Sequence, residues 1–133
     1  MNTAVDTSVL LAIFNAEPGA EDWLGALVEA RRRGTLSICE IVYAELAPAF
    51  PSAATLDEKL DAMGFDVVSL NRGAAWLAGK VFQNYRRGGG PRQHLIPDFL
   101  IAAHAQSQIG RLAAIDRGYL RKWFPSLSLL SVE

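Results

Sequence analysis

Four acidic residues stand where carboxylates are costly to place unless a cation or a proton compensates them: Asp6 in AVDTSVL, Glu45 in VYAELA, Asp98 in IPDFLIAAHA and Asp116 in LAAIDRGYL. Asp6 and Asp116 each end a short apolar run of strand character, and either serves as well as an N-cap of the helix that follows. Asp98 comes just after Pro97 in what reads as a first helical turn, where the helix dipole favours a negative charge. Its face of that helix continues with Ile101, Ala102, Ala105 and Ile109. Glu45 resists the capping explanation. It falls mid-helix on a stripe of Ile38, Ile41, Val42, Leu46 and Ala49, so its side chain is expected to point toward the core, whereas Glu40 lies off the stripe and is expected in solvent. Carboxylates that converge raise one another's pKa, and a divalent cation reverses that penalty. Oxygen donors with no His or Cys companion favour Mg²⁺ or Mn²⁺ over Zn²⁺.

The elements that must position these acids follow from periodicity and punctuation. Strands are predicted at residues 1–6, 36–39, 65–69 and 112–115, with an edge strand at 127–130. Helices are predicted at 7–15, 21–33, 40–49, 54–63, 72–87, 97–109 and 117–123; the second ends in a basic turn before Gly34 stops it. Short apolar strands alternating with helices indicate a parallel sheet covered on both faces. In such sheets ligands bind beyond the carboxyl ends of the strands, where Asp6 and Asp116 belong. The polar run that follows Gly88, Gly89 and Gly90 reads as a loop.

At 133 residues the chain is expected to form a single domain spanning residues 1–133. With no apolar run near the ~20 residues needed to cross a bilayer and no signal-peptide pattern at the start, it is expected to be cytoplasmic, with no membrane partner. The lone Cys39 excludes an intramolecular disulfide and a multi-cysteine zinc site, and it reads as a small buried hydrophobe. A net charge of −1 hides an asymmetry: residues 1–66 carry −7 and residues 67–133 carry +6. Asp98 and Asp116 therefore lie in a segment otherwise suited to a polyanion, which points to nucleic acid.

Taken together, AVDTSVL, VYAELA and PDFLIAAHA resemble the PIN domain, and more narrowly the VapC-type toxins of toxin-antitoxin modules, over nearly the whole chain. The resemblance implies a three-layer α/β/α sandwich with a central parallel sheet of four to five strands. It also implies a metal-dependent endoribonuclease that hydrolyses RNA phosphodiesters by a metal-activated water, leaving 5′-phosphate and 3′-hydroxyl ends. Asp6, Glu45 and Asp98 become the metal-site acids under that resemblance, Asp116 the more variable fourth, Ser8 a supporting polar group, and Mg²⁺ or Mn²⁺ the cofactor. Ala114 stands where the family often has a hydroxyl two places before the fourth acid, while Tyr119 holds the usual aromatic place three after it. A VapB-type antitoxin and a homodimer are the implied protein partners.

An RNA backbone needs cations, for which Arg86, Arg87, Arg92 and Arg117 are candidates. Arg31, Arg32 and Arg33 are better explained as a helix end. His104 lies about 240° around the helix from Asp98 and reads as structural, and His94 falls in the loop. Trp23, Trp76 and Trp123 read as core or partner contacts. Phosphatases of the haloacid-dehalogenase type need a second Asp where Ser8 stands, and receiver domains need adjacent acids and a late Lys; neither pattern is present. The remaining alternative is a catalytically weak PIN-like module that binds RNA or protein.

Overall fold

The computed structural model describes residues 1–89 and 94–132. Five short strands, β1 (Thr3–Val5), β2 (Leu36–Ile38), β3 (Phe65–Val67), β4 (Arg111–Ala113) and β5 (Ser128–Leu129), form one sheet in the order β3-β2-β1-β4-β5. Every neighbouring pair is parallel. Parallel neighbours need long crossovers, and the helices supply them. Between β1 and β2 run α1 (Thr7–Phe14) and α2 (Ala20–Arg33); between β2 and β3, α3 (Glu40–Leu46) and α4 (Ala53–Met63). The third crossover is α5 (Arg72–Arg87) and α6 (Ile96–His104), and α7 (Gly118–Trp123) links β4 to β5. The expected α/β/α sandwich is thus present with five strands. All residues of β1 and β2 are buried, as expected of strands covered on both faces.

The strand order reverses direction at β1: the chain builds outward through β2 and β3, then returns to lay β4 on the other side of β1. Such a switch point opens a crevice beyond the carboxyl ends of the two strands. Asp6 stands directly after β1, and its backbone N–H donates to the Ala113 carbonyl at 2.8 Å, tying the two strand ends together.

Several predicted elements end early, three of them of particular note. The helix expected over 40–49 stops at Leu46 and gives way to a 3₁₀ turn, Ala47–Ala49, because Pro48 has no N–H to continue the ladder. The helix expected over 97–109 is regular only to His104, and Ala105–Ile109 widens into a π turn closed by Gly110, whose N–H donates to the Ala105 carbonyl at 2.8 Å. The strand expected over 65–69 ends at Val67. Gly34 stops α2 as expected, for a packing reason: a methyl group there would lie 2.4 Å from the Met1 carbonyl oxygen, so only glycine lets the amino terminus pass.

The core against α5, α6 and α7 is aromatic. Phe99 is fully buried, with ring centroids 5.1 Å from both Phe82 and Tyr85, 5.9 Å from Phe124 and 6.0 Å from Tyr119. Tyr85 also meets Trp123 edge-on at 5.5 Å. Edge-to-face pairs of this kind lock ring orientation beyond what area burial alone does. This cluster holds Tyr119, and through it the floor of the crevice. No helix among the described residues is long and apolar enough to cross a membrane.

Candidate functional site

The crevice begins with the tripeptide Asp6-Thr7-Ser8. Asp6 N-caps α1: its Oδ2 accepts from the Ser8 backbone N–H at 3.2 Å and from the Ser8 hydroxyl at 2.5 Å. Ser8 Oγ in turn accepts from the Ile115 N–H at 3.3 Å, so Ser8 joins the first acid to the loop that carries Asp116. Thr7 points the other way, and its buried hydroxyl donates to Glu45 Oε1 at 2.6 Å. Two adjacent hydroxyl residues therefore orient two carboxylates from different crossovers. Ser8 was expected as a supporting group; Thr7 was not.

Glu45 differs from its sequence reading. Its stripe neighbours Val42 and Leu46 are buried, but Glu45 itself is exposed, because α3 is only seven residues long and its end rises out of the core into the crevice. The stripe identifies the side that faces the sheet edge rather than the depth. Glu40 behaves as expected and lies elsewhere, accepting from the Leu70 N–H at 2.8 Å.

Asp98 sits in the first turn of α6, where its Oδ2 accepts from the Leu95 N–H at 3.1 Å. It is thus a helix-end acid and a crevice acid together. His94 lies between the third and fourth acids: Nδ1 is 3.5 Å from Asp98 Oδ2, and Nε2 is 3.5 Å from Asp116 Oδ2. Its imidazole stacks on Tyr119 with centroids 3.8 Å apart and planes inclined by 21°. A loop histidine with no periodic signal gives no hint of this bridging place in sequence.

Electrostatics report the same convergence. Burial pushes the Asp6 carboxyl above its ordinary value; hydrogen bonds from Ser8 oppose the rise, and the charges of Asp98 and Glu45 add to it. Burial also pushes the Tyr119 phenol far above its usual range, and Asp6, Asp98, Asp116 and Glu45 all contribute. All four acids therefore act on one tyrosine. Their hard oxygen donors suit Mg²⁺ or Mn²⁺, and such a cation would relieve the penalty Asp6 bears. As the side chains stand, no three His, Cys, Asp or Glu residues among those described close into a ready-made metal-binding group.

The other expected residues divide. Arg86 and Arg87 are exposed at the end of α5, the former with its guanidinium 5.8 Å from the Phe82 ring. Arg117 is engaged within the fold: Nε donates to the Ala114 carbonyl at 3.1 Å, Nη2 to the Leu130 carbonyl, and the guanidinium lies 5.6 Å from the Trp23 ring. Arg92 lies outside the described residues. Cys39 is buried and free at the start of α3, where burial pushes its thiol up, as suits an inert hydrophobe.

His104 is buried away from the crevice, and its Nε2 has no hydrogen-bond partner among the described residues. Burial pushes its imidazole down; the Val68 backbone and Glu40 oppose this. A base with a lowered pKa binds fewer protons folded than unfolded. The stability it contributes is therefore present above about pH 6.5 and is lost as pH falls through the folded value. Urea melts at about pH 7.5 and about pH 5.5 should show wild type losing more stability on acidification than His104→Gln; an equal loss would remove His104 as the cause.

A family profile described as PIN domain matches residues 3–122. Comparison with curated proteins finds no match. Among solved structures, the chain is similar to VapBC2 from Rickettsia felis bound to a DNA fragment from their promoter, with a TM-score of 0.73, 21% identity and 97% of each chain covered. It is also similar to VapBC-1 from nontypeable Haemophilus influenzae (TM-score 0.74, 20% identity, 99% of this chain and 98% of that one). A third is FitAcB from Neisseria gonorrhoeae (TM-score 0.67, 17% identity, 98% and 97%). At such identities the likeness shows the fold.

Proposed function

The chain belongs to the PIN-domain family, and from that premise we propose that it is a metal-dependent endoribonuclease, the toxin of a toxin-antitoxin pair. The observation that carries this reading is the convergence of Asp6, Glu45, Asp98 and Asp116 around Tyr119 at the topological switch point. Asp6, Glu45 and Asp98 would hold Mg²⁺ or Mn²⁺, with Asp116 as the outer fourth acid. The chemistry such an ion supplies when bound is polarisation of a phosphodiester oxygen and generation of a nucleophilic water at neutral pH.

The chain's own residues prepare that site by fixing rotamers. Ser8 holds Asp6 by Oδ2, Thr7 holds Glu45 by Oε1, and the Leu95 N–H holds Asp98 by Oδ2. Each acid is thereby oriented through one named oxygen. Outer contacts of this sort commonly change metal affinity 10–100-fold. His94 spaces Asp98 from Asp116, and Tyr119 backs it.

An antitoxin partner is supported by the VapBC neighbours, which are named as pairs. A homodimer and a cytoplasmic location belong to the same proposal. Antitoxin-free protein incubated with total RNA should produce discrete cuts carrying 5′-phosphates when Mg²⁺ or Mn²⁺ is present and none when the metal is chelated. No cuts with metal present would leave the catalytically weak binding module in place of the nuclease, and cuts that persist under chelation would remove the metal dependence.

A further inference from the structure

The outward face of α5 carries cations around an exposed indole. At 100° per residue, Arg72, Trp76, Lys80, Gln83 and Arg87 fall within a sector of about 80°, and all five are exposed. The opposite side of the helix is packed through Ala74, Ala78 and Tyr85, so this face turns away from the core. Of the core or partner contact expected of Trp76, the core is excluded, because the residue is 70% exposed, with Lys80 Nζ 5.0 Å from its ring centroid. The 16-residue helix contains no Asp or Glu.

The C-terminal end of α5 packs close to the crevice. Gly88, which caps α5, lies so close to the Trp123 ring that a methyl group there would be 3.1 Å from it. On the buried side of the same helix end, Tyr85 lies with its ring centroid 6.2 Å from that of His94, the residue between Asp98 and Asp116, so the crevice is reached around the end of the helix from the strip. From Arg72 to Arg87 the helix covers about 22 Å.

We infer that this face of α5 is a docking strip for single-stranded RNA, with Trp76 stacking a base and Arg72, Lys80 and Arg87 neutralising phosphates on either side. The inference rests on the ribonuclease reading and names how that enzyme grips its substrate outside the acids. Charge complementarity selects the occupant: an acid-free row of cations around an exposed indole suits a polyanion with flat bases. A two-fold contact between copies would set the row against its own image, which like charges disfavour.

The test uses the full chain carrying Asp98→Asn, so that binding is read without cleavage, and a fluorescently labelled single-stranded RNA of mixed sequence. Trp76→Ala should weaken binding about tenfold, and Trp76→Phe should retain most of it, because stacking needs only an aromatic face. Arg72→Gln and Lys80→Gln should each lower the salt slope of the affinity by roughly 0.7. Unchanged affinity in Trp76→Ala overturns the strip, as does a change of oligomeric state by light scattering, which would make this face a contact between copies. Trp76-dependent binding in a chain that cleaves no RNA would remove the nuclease and keep the strip. Metal-dependent cleavage with binding indifferent to Trp76 would remove the strip alone.

Discussion

Asp98→Asn is expected to lower metal-dependent RNA cleavage roughly a hundredfold or more while the fold persists. Asparagine keeps the size and an acceptor oxygen, so the bond from the Leu95 N–H that starts α6 survives the change. Only the charge is lost, and with it the electrostatic partnership that Asp98 shares with Asp6. Circular dichroism and a urea melt should place the variant within about 1 kcal/mol of wild type, which separates a lost ligand from a lost fold. Full activity in a well-folded Asp98→Asn protein would sink the metal-site assignment.

Phe99→Ala should have the largest effect on stability, about 3–5 kcal/mol. That is a large part of the roughly 5–15 kcal/mol that holds a domain of ordinary stability. Phe99, on α6, is fully buried and touches rings from α5, from α7 and from Phe124 just after it, so its removal opens a cavity where three crossover elements meet. Because it also packs against Tyr119, the variant that remains folded should bind metal more weakly than wild type. Urea denaturation measures the first effect and calorimetric Mn²⁺ titration the second. A loss under about 1 kcal/mol would show that the aromatic cluster can collapse onto the gap.

Much of this molecule was legible before its coordinates, because apolar strands and capped helices carry strong periodic signals. Asp6 and Asp116 were readable as strand-end acids, and the switch point then brings those ends together. Periodicity reports direction and not depth, which is why Glu45 was expected inside and stands at the surface. Trp76 shows the converse: the buried stripe of α5 is built largely from alanines, and the bulky apolar residue stands on the outward face. The π turn after His104 and the place of His94 between two acids arise from tertiary packing, which no local pattern encodes. Thr7 went unnoticed because its partner lies 38 residues away.

The hydrogen bonds of Thr7 and Ser8 carry a consequence for how the protein is made. Thr7 reaches α3, and Ser8 reaches the segment just past β4, 107 residues later. A chain growing from its amino terminus has Asp6 early, but the crevice around it lacks α6, β4 and Tyr119 until α7 has emerged. The order of synthesis therefore keeps Asp6 without Asp98 and Asp116 until the segment past β4 has been made, so the four acids come together late and all at once.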